Sequence, residues 1–198
     1  RSAWARSSVA ERCYVGPVNF FGHAAVASWR STSPRFVLGA MLPDFAAMIR
    51  TRPPAALEPA LARGVALHHE TDHVFHDSRT FRELSQWAHA DLASRGLPRG
   101  PARAVAHIGT EILIDGALAA DRVARHAYLE AIALGKTLRE TEVIWRDEAS
   151  AGRFAELVAA LCSRGISRSH HTPEIVALRT ARALAARPRL AVGAAHHE

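Results

Sequence analysis

The segment from Pro101 to Ala124 constrains the fold more than any other part of the chain. Apolar residues surround it on nearly all sides at helical spacing, the pattern of a helix packed into a core. Yet His107, Glu111 and Asp115 recur on it every four residues and so share one stripe. Burying ionised carboxylates without partners costs roughly several kcal/mol each or more. A metal ion, an arginine such as Arg103 or Arg79, or a water-filled cleft has to meet them.

The rest of the sequence supplies helices for that purpose. Ala, Leu, Arg and Glu dominate and alternation of β-branched residues is almost absent, so the reading is all-α, a single-domain helical bundle. Periodicity predicts helices over Asn19–Trp29, Pro34–Met41, Pro43–Ile49, Leu57–Phe75, Arg79–Ser94, Pro101–Ala124, His126–Trp145, Glu148–Cys162 and Pro173–Ala186. Ser33-Pro34 and Thr172-Pro173 give an N-cap followed by proline at the first helical position, and Gly96 and Gly165 follow long periodic segments as C-caps. Pro43 is expected to interrupt or kink its helix. At 198 residues the chain fits one domain, assigned to 15–190, with an irregular or extraneous N-terminus over 1–14 and a tail over 191–198.

Charge and cysteine usage narrow the class further. Cys13 and Cys162 lie far apart, without the spacing of a disulfide framework or zinc finger. No apolar run reaches the roughly 18 residues that span a bilayer, and residues 1–12 lack a signal peptide's apolar stretch, so no transmembrane segment and a cytoplasmic location are expected. The net charge of +6 is carried by arginine, since Lys136 is the only lysine, and six arginines between Arg164 and Arg189 face the single acid Glu174. A basic surface suits acidic partners. Nucleic acid is not expected, because aromatic interleaving and known motifs are missing.

The densest chemistry lies between His68 and Asp77, where four histidines (His68, His69, His73 and His76) and the acids Glu70, Asp72 and Asp77 crowd one helix. His68, Asp72 and His76 fall at i, i+4 and i+8, and His69 and His73 form a second pair beside them. Imidazole nitrogen and carboxylate oxygen are the usual ligands of zinc, manganese and iron, and this spacing puts two within reach of one ion. Upstream, His23 is the only titratable group on an apolar helix, a pattern that a hydrogen-bonded core histidine would also give. Asp44 follows Pro43, where a helix-capping carboxylate would also stand. His73, His89, His126, His170, His171, His196 and His197 read as surface residues.

With these residues assembled, the chain resembles the acyl carrier protein phosphodiesterase family, metal-dependent enzymes related to the HD-domain phosphohydrolases. The resemblance covers about Val18 to Ala119. It rests on Asn19-Phe20-Phe21-Gly22-His23, on Leu38 to Phe45 with Pro43-Asp44, on Gly64 to Asp72 with Phe75 and Asp77, and on Glu111-Ile112-Leu113-Ile114-Asp115. It implies an HD-domain-like all-α fold and hydrolysis of the phosphodiester joining a 4'-phosphopantetheine arm to an acidic carrier protein, usually with manganese. His23, Asp44, His68, Asp72 and Asp115 match the family's polar positions. The chain departs from the pattern at His69, where arginine is usual, at Glu111, where aspartate is usual, and at Gly116, which replaces a histidine. A second resemblance is to zinc-dependent phospholipase C and related nucleases, through His23, Gly39 to Asp44, His68-x-x-x-Asp72 and His107-x-x-x-Glu111.

Both resemblances lead to a metal-dependent phosphoric ester hydrolase using manganese or zinc, with iron as a further option. The expected ligands are His23, Asp44, His68, Asp72, Glu111 and Asp115. His69, His76 and His107 are expected to act as general acid or base or to complete a second ion, and Arg79 to clamp phosphate by a two-pronged guanidinium contact. A non-catalytic helical binding module, holding a partner through its arginine-rich C-terminal helix, is the alternative from another class.

Overall fold

The computed structural model describes residues 20–166, 172–185 and 190. The stretch 1–14 and the tail 191–198 lie outside the described residues, as do His170, His171, His196 and His197. Among the described residues the chain is an all-α bundle of eight helices with one two-residue strand pair. The helices are α1 (Phe20–Arg30), α2 (Pro34–Met48), α3 (Pro59–Asp77), α4 (Arg79–Ser94), α5 (Arg99–Leu118), α6 (Arg122–Gly135), α7 (Glu148–Arg164) and α8 (Pro173–Ala185). None of them is long and apolar enough to cross a membrane.

Side-chain caps set most of the starts. Ser33, Glu58, Ser78, Asp121 and Asp147 each accept a hydrogen bond from an amide in the first turn that follows, which satisfies donors the helix itself leaves free. Gly165 ends α7 at φ 60°, a backbone state that costs glycine little.

The centre of the bundle is α2, on which Val37, Leu38, Met41, Leu42 and Phe45 are fully buried. It lies unusually close to α3. A Cβ at Gly39 would overlap the carbonyl oxygen of Leu61, and one at Gly64 would overlap that of Phe36. This approach brings Asp44 and His68 together from different helices.

Three sequence expectations are corrected. The chain does not break at Pro43: α2 runs through it, with Asp44 in the helix interior and not at a helix start. An interior proline costs about 3 kcal/mol, and each fully buried large apolar side chain on α2 returns roughly 1.5–3 kcal/mol. The predicted helix His126–Trp145 in fact starts at Arg122 under the Asp121 cap and stops at Gly135. Beyond it, Val143–Ile144 (β2) pairs antiparallel with Ala55–Ala56 (β1). Glu142 pins this strand pair. Its carboxylate accepts from Arg35 Nη2 at 2.7 Å, and its carbonyl accepts from the Leu57 and Glu58 amides. Finally, α5 is not covered all round, since Leu113 is 47% exposed.

Candidate metal centre

Four helices converge on one face of the core. His23 comes from α1, Asp44 from α2, His68, Asp72 and His76 from α3, and His107 and Glu111 from α5. They form two groups. His23, Asp44 and His68 each offer a ligand atom within 4.8 Å of the others, all three residues being buried, and His76, His107 and Glu111 do the same on the more open side. Asp72 stands between the groups. Its Oδ1 lies 4.0 Å from His23 Nε2 and 3.2 Å from His76 Nε2. Within the second group Glu111 Oε1 is 3.5 Å from His76 Nε2 and 3.2 Å from His107 Nε2, and the two rings stack at 5.0 Å between centroids.

Hydrogen bonding fixes the proton positions in the buried group. The Thr71 hydroxyl donates its one proton to the carbonyls of Leu67 and His68, at 2.8 and 3.1 Å, so toward His23 Nδ1, at 3.1 Å, it acts as acceptor. His23 therefore carries its proton on Nδ1 and keeps its lone pair on Nε2, the atom 3.8 Å from Asp44 Oδ2. His68 Nδ1 lies 3.0 Å from the carbonyl oxygen of Ala40, which can only accept, so His68 is likewise protonated at Nδ1. An Nδ1–H held by a carbonyl or hydroxyl is the usual support of a metal-binding imidazole.

Electrostatics leave this group short of a cation. Burial, reinforced by His68, His76 and His69, pushes His23 down to about 3, so its contacts with Asp44 and Asp72 are not ion pairs. Burial also lowers His68, against the pull of its hydrogen bond to Ala40. Burial and then the nearby carboxylates of Asp115, Asp72 and Glu111 hold the Asp44 carboxyl well above its usual range. Asp44 Oδ2 is buried with no hydrogen-bond partner. An orphaned carboxylate oxygen opposite two neutral imidazoles of fixed tautomer is the donor set of a divalent cation, so the residues present fit a metal ion. In the open group the hydrogen bond from His107 to Glu111 is the main cause that raises the His107 pKa.

The other expected site residues fall elsewhere. Asp115 joins neither group. Its Oδ1 accepts from the Gly22 amide at 2.8 Å, in the first turn of α1, so it anchors the helix that carries His23. Burial raises Asp115 to about 8, against the positive charge of Arg179 from α8 and the α1 amides. His69 is exposed and touches the site through an edge contact with the His68 ring at 5.3 Å. Arg79 is not in the site: its side chain is 87% exposed and its Nε bonds Glu83 at 2.7 Å. Neither Arg79 nor Arg103 forms an ion pair with Glu111 or Asp115; histidines meet the first, and backbone amides together with the charge of a different arginine, Arg179, meet the second.

Sequence reasoning passes over Thr71, the Ala40 carbonyl, the Gly22 amide and Arg179. The contacts of the first three span 48, 28 and 93 residues, and no local spacing announces them. His89, read as a surface residue, is half-buried with Nε2 unpartnered. No family model, curated protein or solved structure matches this chain.

Proposed function

We propose that the chain is a metal-dependent hydrolase of phosphate esters, built on an HD-domain-like bundle and acting on a phosphodiester. The observation that carries this reading is the pair of His/carboxylate groups joined by Asp72, whose Oδ1 is within 4.0 Å of an imidazole of each. Divalent ions held there would supply an activated water and neutralise charge developing on phosphoryl oxygens. The chain's own residues divide the remaining work. His23, Asp44 and His68 hold the inner position, with Thr71 and Ala40 fixing the rings, while Glu111, His76 and His107 hold the outer one. His107 is half-exposed with its pKa raised by Glu111, so where no outer ion occupies it, it can instead carry a proton to a leaving oxygen at the edge of the site.

The 4'-phosphopantetheine link of an acidic carrier protein is the substrate suggested by the first resemblance, with manganese as the ion. Zinc fits the second, phospholipase-like resemblance, and iron fits the donor set too. The binding-module alternative is weakened by the position of α8. Its Ala183 and Leu184 pack against Ile108 and Ile112 of α5, so part of the basic C-terminal helix is spent inside the fold.

Elemental analysis of protein purified without chelator, together with a panel of phosphodiesters that includes holo carrier protein, tests the reading. Stoichiometric metal and release of product from at least one diester are expected. Metal-loaded protein inert toward the whole panel would overturn it. One manganese or iron per chain favours the carrier-protein substrate, and two or three zinc ions favour the phospholipase-like one.

A further inference from the structure

A cleft of about 500 Å³ opens from the outer group and runs between α4 and α5. His76 and His107 form its inner end, and Arg82, Arg99 and Arg103 line it together with Phe81, Ser85, Gln86 and His89. No carboxylate lines this cleft. Among the described residues, none of the three arginines forms an ion pair, although the same chain pairs Arg35, Arg79, Arg95 and Arg139 with acids. Ser85 Oγ and His89 Nε2 are buried without a hydrogen-bond partner.

Helix stability does not account for this arrangement. Arg99 and Arg103 are four residues apart on one helix face, where like charges repel. Arg99 is also the first residue of α5, whose start has no side-chain cap, so free amides and the positive end of the helix dipole add to the same field. Guanidinium groups and an uncapped helix N-terminus are the two commonest receptors for phosphate oxygens.

From this we infer that the cleft is a subsite for a second phosphate group carried by the same substrate molecule, beyond the phosphoryl group at the metal centre. The inference rests on the reading of the site as a phosphoesterase and specifies its substrate class. Position along α5 sets the spacing. At 1.5 Å of rise per residue, Arg103 lies about 6 Å and Arg99 about 12 Å along the axis from His107. The two phosphorus atoms of a pyrophosphate are too close together to span that interval, whereas two phosphates separated by a sugar or a comparable linker fit it. Arg82 closes the cleft from α4, and Ser85 and His89 offer the neutral contacts.

The test compares thymidine 5'-(p-nitrophenyl phosphate) with the same diester bearing a 3'-phosphate, on the manganese-loaded chain and on an Arg99→Gln/Arg103→Gln variant. Both side chains are exposed, so the variant should keep the wild-type melting temperature. The 3'-phosphate is expected to lower KM at least about tenfold in the wild type, and that advantage to vanish in the variant while KM for the plain diester moves by less than about twofold. Equal KM values for the two diesters in the wild type would overturn the subsite while leaving the phosphoesterase reading intact. If neither diester is hydrolysed, calorimetry with thymidine 3',5'-bisphosphate on the metal-free chain still decides. Binding weakened at least about tenfold by the double substitution supports the subsite, and binding that is absent or unaffected rejects it.

Discussion

The two groups of candidate ligands use the same side-chain chemistry in opposite surroundings. His23, Asp44 and His68 are at most 8% exposed, come from three helices and have their imidazole protons assigned by Thr71 and Ala40. His76 and His107 have side chains 29% and 47% exposed, share the α3–α5 side of the molecule with Glu111 and open onto the arginine cleft. Fixed donors in a buried pocket favour tight retention of an ion. Donors at the edge of a cleft leave room for water and substrate beside it. On the proposed reading, the difference gives holding to the inner group and exchange with substrate to the outer one, with Asp72 between the two.

The sharpest way to break this comparison is to remove the shared carboxylate. Asp72→Ala should release metal from both groups and lower diester turnover by about a thousandfold or more, since a ligand common to both is lost. Elemental analysis and steady-state rates check this, and full activity in the variant would reject the site. Gly39→Ala attacks the helix approach under the inner group alone. Its Cβ would overlap the Leu61 carbonyl, so α2 and α3 must part, at a cost of about 1–3 kcal/mol or more in denaturant unfolding. Metal retention should fall at the inner group before the outer one.

Thr71→Val is subtler, because it removes only the acceptor that fixes His23. Metal affinity of the inner group should drop about 10–100-fold with the outer group unchanged, as read by competition with a chromophoric chelator. An equal loss at both groups would contradict the division of roles.

The smallest effect is on the pH dependence of the metal-free chain. Asp115 is raised to about 8 from 3.8, so between those values the folded chain holds a proton that the unfolded chain releases, and stability falls as pH rises. His23 is lowered from 6.5 to about 3, so its contribution is present above 6.5 and is lost as pH falls through that interval. The two oppose each other below 6.5, which leaves a net decline in melting temperature from pH 6.5 to about 8. Asp115→Asn, which keeps an acceptor for the Gly22 amide, should flatten that decline. Bound metal should reverse it, because ions bind the deprotonated carboxylates and neutral imidazoles that higher pH favours.

Much of this architecture is legible in the residues. The helical period, the Ser33-Pro34 start and the glycine stops at Gly96 and Gly165 are local signals, and α4 spans Arg79–Ser94 as periodicity predicts. The four-residue spacing of His68, Asp72 and His76 and of His107 and Glu111 already places these side chains on two stripes. Where a residue's role depends on another helix, local reasoning fails. Pro43 reads as a break until the burial around α2 is known, and Arg79 reads as a phosphate clamp until Glu83 is seen to take it. Arg103 reads as a partner for the buried carboxylates, and Arg99 falls before the predicted helix, until both are seen to line a cleft with α4.

The sequence by itself determined that this chain is helical and which side chains could bind a cation, because helix periodicity and ligand type are properties of neighbours along the chain. Tertiary structure alone decided that Asp44 is a buried side chain with one oxygen left without a hydrogen bond and not a cap, and that Asp115 anchors α1 outside both groups. It also decided that Asp72 stands between two sets of candidate ligands. Each depends on how closely separate helices approach, and at α2 and α3 that approach is set by two glycines whose missing side chains let the backbones meet.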